Sequence, residues 1–150
     1  MSCDRVSLWE NRMSECVELK ISLPKIPDIE MVALEGLQRL AGHLGISDGQ
    51  IGEAKILTTE AIINALEHAG AEELPVDVVL TMTKKKLIIF VRDYGKGFEP
   101  NSVEEPVLEK KLGTSKKRGW GLKFMKTMSD DISIESDEHG TKITITKNLE

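Results

Sequence analysis

Alternation of apolar and polar positions predicts that regular structure begins with a half-buried strand over residues 15–23. Two prolines end that strand. Apolar residues three and four apart then predict a first helix over residues 28–45. The same spacing predicts a longer, central helix that starts at Ser47 or Asp48 and continues to Gly70.

Four strands, one long loop and one helix are predicted for the second half of the chain. In order they lie at residues 76–83 and 87–92 (two strands), 94–118 (loop), 120–128 (helix), and 132–136 and 141–146 (two strands). Each pair of strands reads as an antiparallel hairpin. The order of the elements predicts an α+β two-layer sandwich, with helices on one face of a mixed, mostly antiparallel sheet.

Composition limits the classes of partner. The chain has 150 residues, of which 30% are charged and 40% are hydrophobic. These values predict one domain over residues 15–150, preceded by a mobile lead-in at residues 1–14. The net charge of −5 argues against direct binding of nucleic acid or of an anionic membrane.

Two further features of the sequence concern its compartment. No apolar run approaches the roughly 20 residues that a membrane span needs, and the first residues show no signal-peptide pattern. We therefore expect a cytoplasmic protein without a membrane partner. Cys3 and Cys16 lie thirteen residues apart with no paired His or Cys nearby, so reduced thiols are expected rather than a zinc site.

A polar line interrupts the otherwise apolar central helix. Glu60, Asn64 and His68 recur at four-residue spacing, which stacks them along one helix face. One interpretation is a solvated stripe. The other is a site whose floor is this helix, with a carboxylate able to act as a base and an amide oxygen able to hold a hard cation.

Two glycine-bearing stretches follow. Asp93 ends the predicted central strand and precedes Gly95 and Gly97, which let backbone approach a ligand closely, although the start of an ordinary hairpin has the same pattern. Residues 116–125 form a basic, glycine-bearing loop that opens into a helix. That run fits either a phosphate site or a solvated basic turn.

Together, the three stretches resemble the N, G1 and G2 boxes of the histidine-kinase-like ATPases with the Bergerat fold, which include gyrase and mismatch-repair proteins. The motifs, in chain order, are Glu60-x-x-x-Asn64-x-x-x-His68, Asp93-x-Gly95-x-Gly97 and Gly119-x-Gly121. The resemblance covers residues 15–147 and is closest to the anti-sigma-factor serine kinases. Sensor histidine kinases are less similar, because they usually carry a helical pair with the phosphoacceptor His ahead of this domain.

The resemblance implies a site for ATP and Mg²⁺. Glu60 would be the general base that takes the proton of the attacking hydroxyl, Asn64 the Mg²⁺ ligand, and Asp93 the acceptor for the adenine amino group. The nucleotide-binding positions that it implies are Asn64, Asp93, Gly95, Gly97, Phe98, Lys117, Arg118, Gly119, Gly121, Leu122 and Thr141.

Some assignments within that site stay open. Either Lys117 or Arg118 would neutralise the γ-phosphate, because the loop spacing varies in the family. His68 is either a packed helix-end residue or the family's frequent His at this point. The loop at about 95–118 would be the ATP lid, mobile without nucleotide and ordered more by ATP than by ADP.

The implied function is that of an ATP- and Mg²⁺-dependent serine kinase that phosphorylates an anti-anti-sigma (STAS-type) protein and sequesters a sigma factor. The alternative is a nucleotide-gated protein-binding switch without phosphate transfer. Glu60 favours the enzyme, since a pure switch needs no base. Phosphotransfer to a His is disfavoured, because no such acceptor lies in the chain. A homodimer through the first strand or its neighbouring helix is implied by the resemblance alone.

Overall fold

The computed structural model describes residues 15–69, 74–95 and 118–149. Within these ranges the helices and strands follow the predicted order. They are β1 (Val17–Leu23), α1 (Glu30–His43), α2 (Gly52–His68), β2 (Val76–Met82), β3 (Lys86–Asp93), α3 (Arg118–Met128), β4 (Asp131–Asp137) and β5 (Gly140–Asn148). None of these three helices is long and apolar enough to cross a bilayer.

The strands form one open sheet in the order β1-β2-β3-β5-β4, with β1 and β4 at its edges. Each of its four pairings is antiparallel, so the sheet contains no parallel pair among the described strands. The predicted two-layer α+β architecture is confirmed. β3 lies in the middle of the sheet, as its nearly continuous apolar run predicted.

One face of the sheet carries the core. Alternate residues of the central strands, such as Leu80, Ile89 and Ile145, are fully buried, and Leu37 of α1 and Leu57 of α2 belong to the same buried cluster. On the other face, alternate residues of β3 remain half-exposed. The helices therefore cover a single face, which is the arrangement that the alternation of strand residues requires.

The central helix begins at Gly52, later than the predicted start at Ser47 or Asp48. The side chains of Ser47 and Gln50 exchange hydrogen bonds with each other's backbone: Ser47 N donates to Gln50 Oε1 at 3.0 Å, and Gln50 N donates to Ser47 Oγ at 3.3 Å. These two hydrogen bonds stabilise a separate turn ahead of the helix. Ser47 therefore accepts a backbone hydrogen bond as a capping residue does, but within that turn and not at the start of α2.

Cys16, which directly precedes β1, is disulfide-bonded. The expectation of a reduced thiol is therefore wrong at this residue. Sequence spacing excluded a recognisable zinc pattern, but spacing alone does not determine whether two thiols approach closely enough to pair.

Candidate functional site

The predicted polar line lies on α2, and its central member is buried. Asn64 is only 6% exposed, whereas Glu60 and His68 are partly exposed. The side-chain nitrogen of Asn64 has no hydrogen-bond partner among the described residues. The nearby Thr58 and Thr59 differ, because each hydroxyl donates at 2.8 Å to a carbonyl one turn earlier in the helix.

A buried, unpartnered amide group costs about 1–3 kcal/mol, so such groups are uncommon and need an explanation. The burial of Asn64 excludes a solvated stripe at this position. Asn64, whose side-chain nitrogen has no partner among the described residues, is therefore a candidate contact for a ligand.

Asp93, the last residue of β3, is buried to 1% exposure. Its carboxylate accepts hydrogen bonds from the backbone N–H groups of Gly95, at 3.0 Å, and of Thr141. Burial raises the pKa of this carboxyl, while the two backbone donors and the nearby His68 partly oppose that shift. A carboxylate offers about four lone-pair sites, so two bonds leave Asp93 able to accept from a ligand.

Tyr94 holds the backbone beside Asp93 from the opposite face of the sheet. Its hydroxyl donates to Asp77 of β2 at 2.5 Å, and this bond raises the pKa of the phenol. Ser22 of β1 donates to the same carboxylate at 2.8 Å. The guanidinium of Arg92 lies 4.6 Å from the centre of the Tyr94 ring. These interactions on the other face of the sheet thus hold the end of β3, which carries Asp93, in place.

Two glycines let the motifs converge on α2. A Cβ atom added at Gly95 would overlap the carbonyl oxygen of His68, at the end of the helix. A Cβ added at Gly121 of α3 would lie 2.7 Å from the Glu60 carboxylate. The end of β3 and the start of α3 therefore both approach α2 closely. At Gly95 the neighbour is backbone, so only glycine fits, whereas at Gly121 a side chain would have to displace the Glu60 carboxylate.

Replacing Gly95 by alanine is expected to lower the free energy of unfolding by about 1–3 kcal/mol, because the new methyl group displaces backbone rather than a flexible side chain. Gly42→Ala in α1 is the matched control. Beyond its own turn of helix, no atom of the described residues lies within 4 Å of the Cβ that Gly42 would gain, so this change should stabilise the helix by about 0.5–1 kcal/mol. Urea unfolding measures both. Equal effects of the two substitutions would contradict the close approach at Gly95.

Thr141 of β5 lies directly opposite Asp93 and is 1% exposed. Its hydroxyl is 2.8 Å from that of Ser136 on β4. The preceding Gly140 has a φ of +132°, and a Cβ there would overlap the carbonyl oxygen of Asp93. The structure therefore brings the predicted Thr141 to the predicted Asp93. It also adds Ser136, which sequence reasoning missed.

The remaining predicted positions are placed only in part. Leu122 is 5% exposed and packs in the core, so its side chain serves α3 packing. Arg118 and Gly119 lie in the first turn of α3. Gly97, Phe98, Lys117 and the rest of the predicted lid up to residue 117, apart from Gly95, lie outside the described residues.

Four elements of the described chain meet at the site. α2 supplies Glu60 and Asn64, the β3 and β5 strands supply Asp93 and Thr141, and α3 begins against Glu60. Among the described residues, no group of three or more His, Cys, Asp and Glu side chains is arranged to hold a metal ion. The site thus has a carboxylate and an amide, from Glu60 and Asn64, near the start of α3. At its other end the buried Asp93 carboxylate lies next to the Thr141 hydroxyl.

Comparison with known proteins agrees with this arrangement. The sequence model of the family described as "Histidine kinase-like ATPase domain" matches residues 27–147. The chain is 27% identical over 138 residues to the serine-protein kinase RsbW of Listeria innocua, covering 88% of this chain and 87% of that protein. It is 28% identical over 141 residues to the RsbW of Bacillus thuringiensis, with coverage of 91% and 86%.

A solved structure has the same fold. It contains the RsbU and RsbW domains of a Mycobacterium tuberculosis protein, and the match has a TM-score of 0.63 at 18% sequence identity. The match covers 87% of this chain and 32% of that one. At this level of identity the likeness concerns the fold alone.

Proposed function

Because the chain belongs to the family of histidine kinase-like ATPase domains, we propose that it is an ATP- and Mg²⁺-dependent serine protein kinase with an anti-sigma role in the cytoplasm. The observation that carries this proposal is the contact of Gly121 with Glu60. This contact supports the proposal, because the start of α3, whose backbone N–H groups would bind phosphate, lies against the carboxylate that would act as base. Relatives named as serine-protein kinases, matched over most of their length, support the same activity.

The adenine end of the proposed site is formed by the strands. Asp93 is buried and retains acceptor capacity, so it would accept a hydrogen bond from the exocyclic amine. The neighbouring Thr141 hydroxyl would contact the same edge of the base. Gly95 would let the backbone pass beneath the ring.

The phosphate end would lie between α2 and α3. Glu60 would take the proton from the attacking serine hydroxyl, and the backbone N–H groups of Gly119, Gly121 and Leu122 would face the phosphates. Either Lys117 or Arg118 would neutralise charge on the γ-phosphate.

Asn64 would hold Mg²⁺ through its amide oxygen. Mg²⁺ commonly takes one or two protein oxygens and completes its shell with substrate phosphates and water, which fits a buried amide beside a carboxylate. When bound, the metal would neutralise charge that develops on the phosphates. The unpartnered Asn64 nitrogen is then available to donate to a phosphate oxygen or to ordered water.

Binding of adenosine is expected to weaken as the pH falls, and to do so above pH 3.9, the usual Asp pKa. The reason is that burial raises the Asp93 pKa, and the protonated carboxyl is a poorer acceptor for the amine. The contribution of Asp93 to the free energy of unfolding changes with pH in the opposite direction. A raised pKa means that protonation favours the folded state, so this contribution falls as the pH rises through the pKa of the folded protein.

Calorimetric titration with adenosine, which carries no titrating phosphate, from about pH 8 down to about pH 4, close to the usual Asp pKa, measures the effect. The same series in His68→Gln separates Asp93 from the nearby imidazole. Affinity that stays constant in both proteins until the pH reaches the usual Asp pKa would contradict a raised Asp93 pKa.

The proposed partners are an anti-anti-sigma protein of the STAS type, as substrate, and a sigma factor, as the sequestered protein. Incubation of the purified chain with radiolabelled ATP, Mg²⁺ and a STAS-type protein from the same organism tests the enzyme. Label on a serine of that protein is the expected result. Nucleotide-dependent complex formation without label would instead favour the switch that transfers no phosphate.

We further propose a homodimer. β1 is an edge strand among the described strands, so its outer backbone groups pair with none of them and could pair with a second copy, and α1 packs against it. Light scattering at tens of micromolar should give the mass of a dimer. A monomer mass at that concentration, roughly where weak interfaces dissociate, would reject the dimer without affecting the nucleotide site.

A further inference from the structure

Three polar residues, Asp93, Thr141 and Ser136, lie side by side across β3, β5 and β4. Residues paired across antiparallel strands point to the same face, so all three side chains face the helices. The next row in that direction is apolar and consists of Val91, Ile143 and Ile134, and the row after it consists of Ile89, Ile145 and Ile132. The polar row therefore interrupts an apolar face at the end of the core.

Two members of this row share a hydrogen bond whose direction is open. The hydroxyls of Ser136 and Thr141 are 2.8 Å apart, and either oxygen can be the donor. A hydroxyl has one proton to donate and two lone pairs to accept with. A ligand group that takes the proton of Thr141 therefore leaves Thr141 only as the acceptor in its bond with Ser136.

The chemistry of adenine fixes that direction. Adenine presents its exocyclic amine, a donor, directly beside ring nitrogen N1, an acceptor. If Asp93 accepts from the amine and the adjacent Thr141 hydroxyl lies against N1, then that hydroxyl must donate to N1. Its single proton is then used, so Thr141 can only accept from Ser136.

We propose that Ser136 is a positioning residue for base recognition, which donates to Thr141 and so directs the Thr141 proton toward N1 of adenine. This inference rests on the proposed nucleotide site. It adds a determinant of base specificity on β4, a strand that contributes no other residue to that site. A base with an N–H group at this position, such as hypoxanthine, would oppose the Thr141 proton with another donor.

Ser136 also has a purely structural explanation. Ser and Thr side chains paired across strands stabilise sheets by their hydrogen bond, whether or not a ligand is present. The two roles predict different results when the ligand lacks N1. A structural pair affects all nucleotides alike, whereas a positioning residue affects only those that accept the Thr141 proton.

The test compares ATP with 1-deaza-ATP, in which a C–H group replaces N1, by calorimetric titration with Mg²⁺. Ser136→Ala is expected to weaken ATP binding by about 2–10-fold, the usual range for one hydrogen bond, and to leave 1-deaza-ATP binding at the wild-type value. Ser136→Thr keeps the hydroxyl and should restore ATP affinity. Ser133→Ala is the matched control, because Ser133 is exposed on the other face of the same strand.

A double-mutant cycle completes the test. In a Thr141→Val background, Ser136→Ala should have no further effect on ATP affinity, since the hydroxyl that it positions is gone. Thermal unfolding confirms that each variant is folded before titration.

Equal weakening of ATP and 1-deaza-ATP by Ser136→Ala would show that Ser136 only stabilises the sheet, and so would overturn the inference. An ATP affinity equal to that of Ser133→Ala would also overturn it. In both cases wild-type ATP binding leaves the proposed function standing. If the wild-type chain binds neither nucleotide, the proposed function fails, and the inference fails with it.

Discussion

Replacing Glu60 by glutamine is expected to lower phosphate transfer to the partner protein by about 10²–10⁴-fold, the usual contribution of a positioned general base. Glutamine has nearly the same shape but cannot take the proton of a serine hydroxyl. The position of Glu60 is what makes this role specific, because its carboxylate meets the start of α3 at Gly121. ATP affinity should stay close to that of the wild-type protein.

Single-turnover transfer of radiolabelled phosphate, measured beside calorimetric ATP affinity, separates chemistry from binding. Glu35→Gln supplies the control, since Glu35 is an exposed carboxylate on α1. It should transfer phosphate at the wild-type rate. If Glu60→Gln does the same, then α2 is a scaffold and the base lies elsewhere.

Replacing Asp93 by alanine is expected to reduce ATP affinity by about 10²–10⁴-fold, because a site built to accept from an amine discriminates strongly once that acceptor is gone. The fold should survive. Removing a buried carboxylate relieves the desolvation that raises its pKa, while the N–H groups of Gly95 and Thr141 lose an acceptor, so the two effects on stability oppose each other.

Calorimetric titration with ATP and thermal unfolding of the same preparations test both parts. Asp131→Ala serves as the control, because Asp131 is an exposed carboxylate at the start of β4. It should bind ATP like the wild-type protein. A folded Asp93→Ala protein with unchanged ATP affinity would remove Asp93 from the site.

The order of helices and strands was predictable because each element has a clear period. Alternation marks β1, β4 and β5, and spacings of three and four mark α1 and α2. The start of α2 was not predictable to the residue. Ser47 bonds to Gln50 in a separate turn, and a capping residue gives the same sequence signal in either place.

Part of the site was also predictable. Four-residue spacing put Glu60 and Asn64 on one helix, and Asp93 with Gly95 marked the strand end. The sequence could not show that Asn64 is buried or that Gly121 contacts Glu60, since the latter joins residues far apart in the chain. Ser136 was missed because a serine in an alternating strand is ordinary until the register places it opposite Thr141.

We propose that three separated stretches form one adenine nucleotide site between α2, the β3–β5 strands and α3. Calorimetric titration of the wild-type chain with ATP and with GTP, both with Mg²⁺, tests it most directly. We expect saturable binding of ATP at a single site per chain and no comparable binding of GTP, because Asp93 would face the carbonyl of guanine with another acceptor. Absence of ATP binding, or equal affinity for GTP, would contradict it.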